Sequence, residues 1–225
     1  RGASRGHRRS VDQGHPLIVT TTGATRPLIA ILNYGIGNLH SAHKGFEHAG
    51  ADARLTSDRG LIADADAVVL PGVGAFGPCM DALRNTGLDE VALERIDSGI
   101  PFFAICIGQQ LLFAGSEESP GRPGLGVFDG MVRRIPDTVK RPQMQWNIVH
   151  PTMEHPMFDG LGAEPWLYFV HSYACEHGPD VVATCDYGDT FVAAVARDNL
   201  WACQFHPEKS SHTGLQILGN FVSAA

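Results

Sequence analysis

The chain has 225 residues, 44% of them hydrophobic, which is enough for one domain with a sizeable core. A formal net charge of −7 argues against a nucleic-acid or acidic-membrane surface, so we expect small molecules and proteins as partners. The five cysteines are scattered and never spaced as CxxC, and no stretch is apolar enough to span a membrane. These features indicate neither a disulfide framework nor a zinc site, and they favour a cytoplasmic location.

The N-terminal segment differs in composition from the remainder. Residues 1–26 contain five arginines and one acidic residue, Asp12, with glycine, serine and threonine between them. This composition predicts a disordered arm or a remnant of recombinant expression, and a basic functional tail is the alternative. We therefore predict that the folded domain covers residues 27–225. Subtracting the arm's charge of +4 from the total of −7 leaves −11 on that domain.

From Leu28 onward, short apolar runs alternate with helical patterns. "LIAILN" precedes a predicted helix at 39–49, "AVVLPGVG" precedes "CMDALRN" and "LDEVALERIDSG", and "PFFAICIG" precedes "QQLLF". Strands that alternate with helices imply right-handed crossovers, so an α/β fold with a mostly parallel central sheet and flanking helices is predicted.

The second half of the chain is richer in strands. From Met131 the strand-like runs are "MVRRI", "WNIVHP", "WLYFVHSYACE", "VVATCDY", "FVAAVA" and "LWACQFH". Because little helix separates them, we expect added antiparallel strands that extend the sheet. A final helix is predicted in "TGLQILGNFVSAA". Three tryptophans in strand-like runs, Trp146, Trp166 and Trp201, are interpreted as core or interface aromatics.

Cys106 lies where a predicted buried strand turns directly into a helix, in "FFAICIGQQLLF". Such a turn lifts one side chain above the carboxyl edge of an α/β sheet. The N–H groups at the start of the following helix would favour the thiolate, and Gly108 would permit close packing of helix and strand. Cys106 is therefore a candidate nucleophile, and a buried structural cysteine is the alternative.

A candidate base follows about a hundred residues later, in "QFHPEKS". His206 comes after an apolar run, and Pro207 disfavours helical geometry at His206. In an extended segment, Glu208 would project to the same side and could orient the imidazole, as in a nucleophile–base–acid triad. The alternative is a surface turn that carries unrelated polar residues.

The loop "LPGVGAFG" could supply an oxyanion site. Gly72, Val73 and Gly74 offer backbone N–H groups without bulky obstruction. An ordinary glycine-rich turn is the alternative, and the loop matches neither a P-loop nor GxGxxG.

Together these motifs resemble those of class I glutamine amidotransferases, and more closely those of the glutaminase subunits of imidazole glycerol phosphate synthases. The residues that carry the resemblance, from about Leu28 to Phe221, are "YGIGN", "LPGVGAFG", "ICIGQQLLF", "SEE", "GLGVFDGMV", "YFVHSY" and "QFHPEKS". The resemblance implies the class I glutamine amidotransferase fold and no cofactor. It also implies that a cysteine sulfur attacks glutamine, releasing ammonia to a (β/α)8 cyclase partner in a heterodimer, and that water hydrolyses the thioester to glutamate.

Position by position, the resemblance also implies residue roles. Cys106 would be the nucleophile, His206 the general base and then acid, and Glu208 the orienting carboxylate. The oxyanion strand would be formed by Gly72, Val73 and Gly74. Glutamine would be held by Gln110, by Glu118 at its α-amino group, and by the backbone of His171, Ser172 and Tyr173, while Asn38 and Lys209 would lie at the partner interface.

Three departures from the family pattern keep other functions open. Ala104 replaces a glycine, "CIGQQ" replaces the usual "CLGMQ", and Gln143 and Gln145 replace a histidine and a glycine where the family meets its partner. The alternatives are a paralogous glutaminase that feeds a different synthase and a non-catalytic regulatory partner. No metal site is predicted, because His40 and His43 lack enough further ligands and are interpreted as solvated surface residues.

Overall fold

The computed structural model describes residues 26–36 and 39–225, which contain thirteen strands, six α-helices and two short 3-10 helices. The strands are β1 (Leu28–Leu32), β2 (Asp52–Thr56), β3 (Ala67–Leu70), β4 (Phe102–Ile105), β5 (Phe113–Ser116), β6 (Phe128–Arg134), β7 (Gln143–Ile148), β8 (His150–Pro151), β9 (Trp166–His171), β10 (Tyr173–Cys175), β11 (Val181–Asp186), β12 (Thr190–Arg197) and β13 (Leu200–Cys203). The α-helices are α1 (Leu39–His48), α2 (Arg59–Asp64), α3 (Phe76–Asn85), α4 (Leu88–Asp97), α5 (Ile107–Leu111) and α6 (Ser211–Ala224), and the 3-10 helices are Pro156–Phe158 and Pro207–Lys209.

The central sheet has eight strands in the order β2-β1-β3-β4-β13-β12-β11-β8. The first five run parallel, and the last three are added antiparallel. Every residue of β3 and β4 is buried, as expected for parallel strands that helices cover on both faces. The predicted α/β class and the mostly parallel sheet are confirmed.

The remaining strands do not extend this sheet as the sequence suggested. β10, β6 and β5 form a separate three-stranded sheet, while β7 and β9 form a two-stranded antiparallel ribbon. One face of this ribbon is apolar yet exposed, since Met144, Trp146 and Trp166 are 60%, 41% and 49% exposed. Within the described residues, no helix covers this face of the ribbon. The ribbon differs in this respect from the buried strands of the central sheet.

An aromatic cluster joins α1 and α6 to the central sheet. Trp201 and Phe103 of the sheet pack against Phe221 of α6 with ring centroids 5.5 and 5.2 Å apart, and Phe46 of α1 lies 6.0 Å from Phe221. Trp201 is thus a core aromatic, whereas Trp146 and Trp166 belong to the exposed ribbon. Within the described residues, no helix combines the length and the apolar character needed to cross a membrane.

Arg26 is the first residue that the structure describes. Arg26, assigned to the arm by its composition, donates hydrogen bonds to the carbonyls of Gly50 and Glu47 at 3.1 and 3.0 Å, and a further one to Ala51. Residues 1–25 and Asn38 lie outside the described residues, so the disordered arm and the interface role of Asn38 stay predictions.

Candidate active site

A pocket of about 290 Å³ opens at the carboxyl edge of the central sheet. The loops that follow β3, β4 and β13 meet there because these three strands are parallel neighbours in the sheet. The predicted site residues that line the pocket are Val73, Gly74, Cys106, Gln110, Glu118, His171, Ser172, Tyr173, His206 and Lys209. Gly72 and Glu208 line a much smaller cavity that shares Val73 and His206 with it.

Cys106 forms the sharp turn from β4 into α5. Its φ and ψ of 55° and −109° are unusual for a residue with a side chain, and its N–H donates to the Cys203 carbonyl at 2.7 Å. A Cβ on Gly108 would lie 2.1 Å from the Leu70 carbonyl oxygen, so only glycine fits there. The predicted elbow is therefore present, but α5 has only five residues, so its dipole supports the thiolate less than a full helix would.

His206 and Glu208 form a buried pair beside this elbow. The Nδ1 atom of His206 donates to a Glu208 carboxylate oxygen at 2.8 Å. This contact leaves Nε2, which has no hydrogen-bond partner in the described part of the chain. Burial opposes the charged imidazole, but the charge on the Cys106 sulfur and the Glu208 carboxylate outweigh it and raise the pKa of His206 to about 10.

The backbone of this segment differs from the extended one that the sequence predicted. His206 itself is extended, with φ and ψ of −106° and 94°, whereas Pro207–Lys209 forms a 3-10 turn. That turn still brings the Glu208 carboxylate to the imidazole. The predicted contact is thus present, and its geometric cause differs.

The loop from Gly72 to Gly74 faces Cys106, and both ends of it are held by buried donors. The Tyr34 hydroxyl donates to the Pro71 carbonyl at 2.6 Å, and the Cys79 thiol donates to the Val73 carbonyl at 3.5 Å. Burial raises the pKa of Tyr34 far above its usual value and that of Cys79 to about 11, so both stay protonated donors. Within residues 26–36 and 39–225, no hydrogen bond uses the Val73 N–H.

The strand from His171 to Tyr173 forms the opposite wall. His171 donates from Nδ1 to the Tyr173 carbonyl at 2.8 Å, and its Nε2 lies 2.9 Å from the Oε1 atom of Gln143, whose own Nε2 is buried without a partner among the described residues. Burial lowers the pKa of His171 to about 4, so the ring is neutral and its Nε2 can only accept a hydrogen bond. The contact therefore requires the Gln143 amide to be turned by about 180°, so that its NH2 group, in place of Oε1, donates to the ring. Gln143 is fully buried, which corrects the expectation that this departure lies on the partner surface, whereas Gln145 is exposed.

Glu118 has a structural contact that the sequence did not predict. One of its carboxylate oxygens accepts from the Phe76 N–H at 2.8 Å, at the first turn of α3. The neighbouring Ser119 hydroxyl accepts from the Gly77 N–H at 3.0 Å. Because Ala75 offers α3 no side-chain cap, these two residues replace it.

Three side chains near the pocket escaped sequence reasoning, namely Tyr34, Cys79 and Gln204. Tyr34 and Gln204 stand inside the motifs "YGIGN" and "QFHPEKS" that drew attention for other residues. No group of three or more His, Cys, Asp or Glu among the described residues is arranged to hold a metal ion. The Nε2 atom of His43 instead lies 3.0 Å from the Ala53 carbonyl.

Comparison with known proteins settles the family. A family model described as class-I glutamine amidotransferase matches residues 30–225. The chain belongs to the class I glutamine amidotransferase family. The fold agrees, since PurLQS from Thermotoga maritima superposes with a TM-score of 0.71 at 17% identity, covering 88% of this chain and 99% of that one. A crystal structure of another glutamine amidotransferase gives 0.68 at 19% identity, covering 87% and 98%.

Sequence relatives place the chain more narrowly. The imidazole glycerol phosphate synthase subunit HisH of Acinetobacter baylyi is 48% identical over 199 residues, which are 86% of this chain and 97% of the relative. The HisH subunits of Syntrophotalea carbinolica and Salinibacter ruber are 49% and 45% identical, covering 86% and 87% of this chain and 98% and 94% of those relatives. Within the amidotransferases, the chain belongs to the family of HisH subunits.

Proposed function

We propose that Cys106, His206 and Glu208 hydrolyse glutamine and that the ammonia passes to a cyclase subunit. The chain is the glutaminase subunit of an imidazole glycerol phosphate synthase of histidine biosynthesis. The observation that carries the residue assignment is the buried pair of His206 and Glu208, 2.8 Å apart, in the same pocket as the strained elbow of Cys106. An imidazole with a fixed tautomer beside a cysteine is the arrangement that nucleophilic catalysis requires.

In the proposed reaction, the Cys106 sulfur attacks the carboxamide carbon of glutamine. The protonated His206 gives its proton to the departing nitrogen, so ammonia leaves and a thioester remains on the sulfur. His206 then takes a proton from water, whose oxygen attacks the thioester carbon and releases glutamate. Glu208 keeps Nδ1 protonated throughout, so that Nε2 exchanges the proton. The net reaction consumes one glutamine and one water and yields one glutamate and one ammonia.

The other pocket residues would stabilise and orient the substrate. The Val73 N–H would stabilise the negative oxygen of each tetrahedral intermediate when it points into the pocket. The Oε1 atom of Gln110 is buried without a partner in the described chain, and it would accept an N–H of glutamine. The Glu118 carboxylate would meet the α-amino group, and the backbone of His171, Ser172 and Tyr173 would receive the α-carboxylate.

The partner would be a cyclase of the (β/α)8 barrel type that forms a heterodimer with this chain. Two observations support a protein on this side of the molecule. The relatives are subunits of a synthase, and the exposed apolar face of the β7–β9 ribbon adjoins the pocket, since β9 ends at the pocket residue His171. Lys209, at the pocket, and Asn38 would complete the interface, and the five free thiols fit a cytoplasmic location.

The alternatives from the sequence are less well supported. A glutaminase serving a different synthase would not be expected to have relatives 45 to 49% identical that are all subunits of one synthase. A non-catalytic partner would have no need of an elbow cysteine and a buried His–Glu pair. Both alternatives make predictions that differ from ours in one assay.

The test compares two nitrogen sources in the complex with the cyclase. Cys106→Ala should abolish glutamine-dependent product formation, because no thioester can form, while ammonium salt still drives the same complex at the wild-type rate. Product is measured by absorbance or mass, and a wild-type complex assayed with both nitrogen sources is the control. Glutamine-driven turnover by Cys106→Ala would refute the nucleophile assignment. A wild-type complex inert with glutamine would refute the proposed activity itself.

A further inference from the structure

The side-chain amide of Gln204 lies next to the sulfur of Cys106. Its Nε2 is 3.6 Å from the Cys106 sulfur, and the side chain is fully buried. Gln204 follows β13, and its backbone N–H donates to the Ala193 carbonyl of β12 at 2.8 Å, which fixes the position of the residue. The side chain is not among the residues that line the pocket, so it contacts the sulfur without occupying the space for substrate.

The orientation of this amide follows from its neighbours. A backbone carbonyl can only accept, so Gln110 must present its Nε2 to the Tyr173 carbonyl, 3.0 Å away. The second hydrogen of the same Nε2 points to Gln204 at 2.9 Å and requires an acceptor there. Gln204 therefore presents Oε1 to Gln110, and its Nε2–H faces the Cys106 sulfur. One backbone carbonyl thus determines the direction of two side-chain amides.

We infer that Gln204 is a further positioning residue for the nucleophile, holding the Cys106 sulfur as a thiolate through an N–H···S hydrogen bond. This inference deepens the proposed function and rests on it. A hydrogen bond to an ionised group is stronger than one to a neutral group, and more so where water is excluded. The contact therefore favours the thiolate over the thiol. It also compensates for the shortness of α5, whose five residues provide a small dipole.

The chain contains a matched control within α5. Gln109 is also fully buried, and its Nε2 lies 3.5 Å from the sulfur of Cys175. This second amide–sulfur contact does not involve the nucleophile. The substitutions Gln204→Leu and Gln109→Leu each remove a buried amide that donates to a cysteine, and they differ in which cysteine loses its donor.

The experiment measures alkylation of Cys106 by iodoacetamide in the full chain between pH 5 and 10, with the modified peptide quantified by mass spectrometry. Gln204→Leu should move the midpoint of the rate profile about one pH unit upward and slow the reaction about tenfold at pH values well below the wild-type midpoint, as expected for loss of a hydrogen bond to a charged group. Gln109→Leu should keep the wild-type profile. A Gln204→Leu midpoint equal to that of wild type would overturn the inference.

A second variant guards against misfolding. Gln204→Asn keeps a polar amide but is one methylene shorter, so its N–H no longer reaches the sulfur. It should show the same upward shift with a melting temperature closer to wild type, and an unshifted profile in a folded Gln204→Asn would also overturn the inference. Alkylation requires neither glutamine nor a partner. Its outcome is therefore independent of the assay with ammonium salt, and the inference and the proposed function can fail separately.

Discussion

The two sides of the pocket differ in how firmly their polar groups are held. On the side of Cys106, the backbone N–H of that residue donates a hydrogen bond to the Cys203 carbonyl, and the His206 imidazole donates one to the Glu208 carboxylate. On the oxyanion side, the carbonyls of Pro71 and Val73 are held by Tyr34 and Cys79, but the peptide between Gly72 and Val73 has no such bond within the described residues. The polar groups on one side are thus held by these hydrogen bonds, whereas the other side includes a peptide that none of them holds.

This difference suggests where regulation acts. If Cys106 is the nucleophile and Val73 the oxyanion donor, as proposed, the held cysteine costs no reorganisation when substrate arrives, whereas rotation of the Gly72–Val73 peptide would switch the donor. Gly72 lowers the steric cost of such a rotation, because it has no Cβ. A Cβ there would also lie 2.9 Å from the Gly108 nitrogen. We therefore expect the partner to control the loop and leave the nucleophile unchanged.

The largest effect should come from the partner itself. One missing oxyanion donor is worth about 2.7 to 4 kcal/mol, or roughly 10² to 10³ in rate. The isolated chain should therefore release glutamate very slowly, and the rate should rise by at least that factor when the cyclase partner and its nucleotide ligand are added. Steady-state glutamate release measures this, with the Cys106→Ala complex as background. A fully active isolated chain would contradict gating and indicate a stand-alone glutaminase.

The next effect concerns the fixed substrate wall and depends on pH. Burial lowers the pKa of His171 from 6.5 to about 4, so between these values the unfolded chain binds a proton that the folded chain does not. The free energy of unfolding should therefore keep its full value above pH 6.5. It should fall by about 3 kcal/mol as the pH drops to 4, at about 1.4 kcal/mol per pH unit.

Urea denaturation at several pH values checks this prediction. His171→Gln removes the titrating ring and should flatten the decline, although it lowers stability at pH 7 because the Tyr173 carbonyl loses one of its two donors. His177→Gln is a control, since that imidazole is exposed. Equal acid sensitivity of wild type and His171→Gln would show that other groups cause the decline.

The sequence predicted which residues meet in the pocket better than it predicted the hydrogen bonds that hold them. Cys106, His206 and Glu208 stand at the ends of apolar strands, and strand order alone brings such ends together. The hydrogen bonds of Tyr34, Cys79 and Gln204 join residues that are separated in the sequence by 37, 6 and 98 positions, respectively. Local sequence patterns do not specify such contacts. For the same reason the sequence could not separate the β7–β9 ribbon from the central sheet, because alternation does not reveal which strands pair.

A smaller effect is expected at Glu118, where binding and folding overlap. Glu118→Ala should raise the KM for glutamine about 10- to 100-fold, because it would remove the proposed ionic partner of the α-amino group. It should also lower stability by about 1 kcal/mol, because the Phe76 N–H loses its cap. Glu118→Gln separates the two effects, since its amide oxygen can still accept from Phe76 without the charge. An unchanged KM in both variants would remove Glu118 from the substrate site.

The smallest effect is expected outside the pocket, at the N-terminal arm. Residues 1–25 contain few groups that could add to a core, so their deletion should leave melting temperature and complex activity nearly unchanged. Deletion of residues 1–26 should be slightly more harmful, because it also removes the hydrogen bonds from Arg26 to the carbonyls that follow α1. Those bonds are exposed or half-buried, so their loss should cost less than about 1 kcal/mol.

Thermal unfolding and coupled turnover of the two deletions, measured side by side, test this prediction. A fall of several degrees in the shorter deletion would show that the arm docks on the folded domain, and a selective loss of turnover would place it at the partner interface.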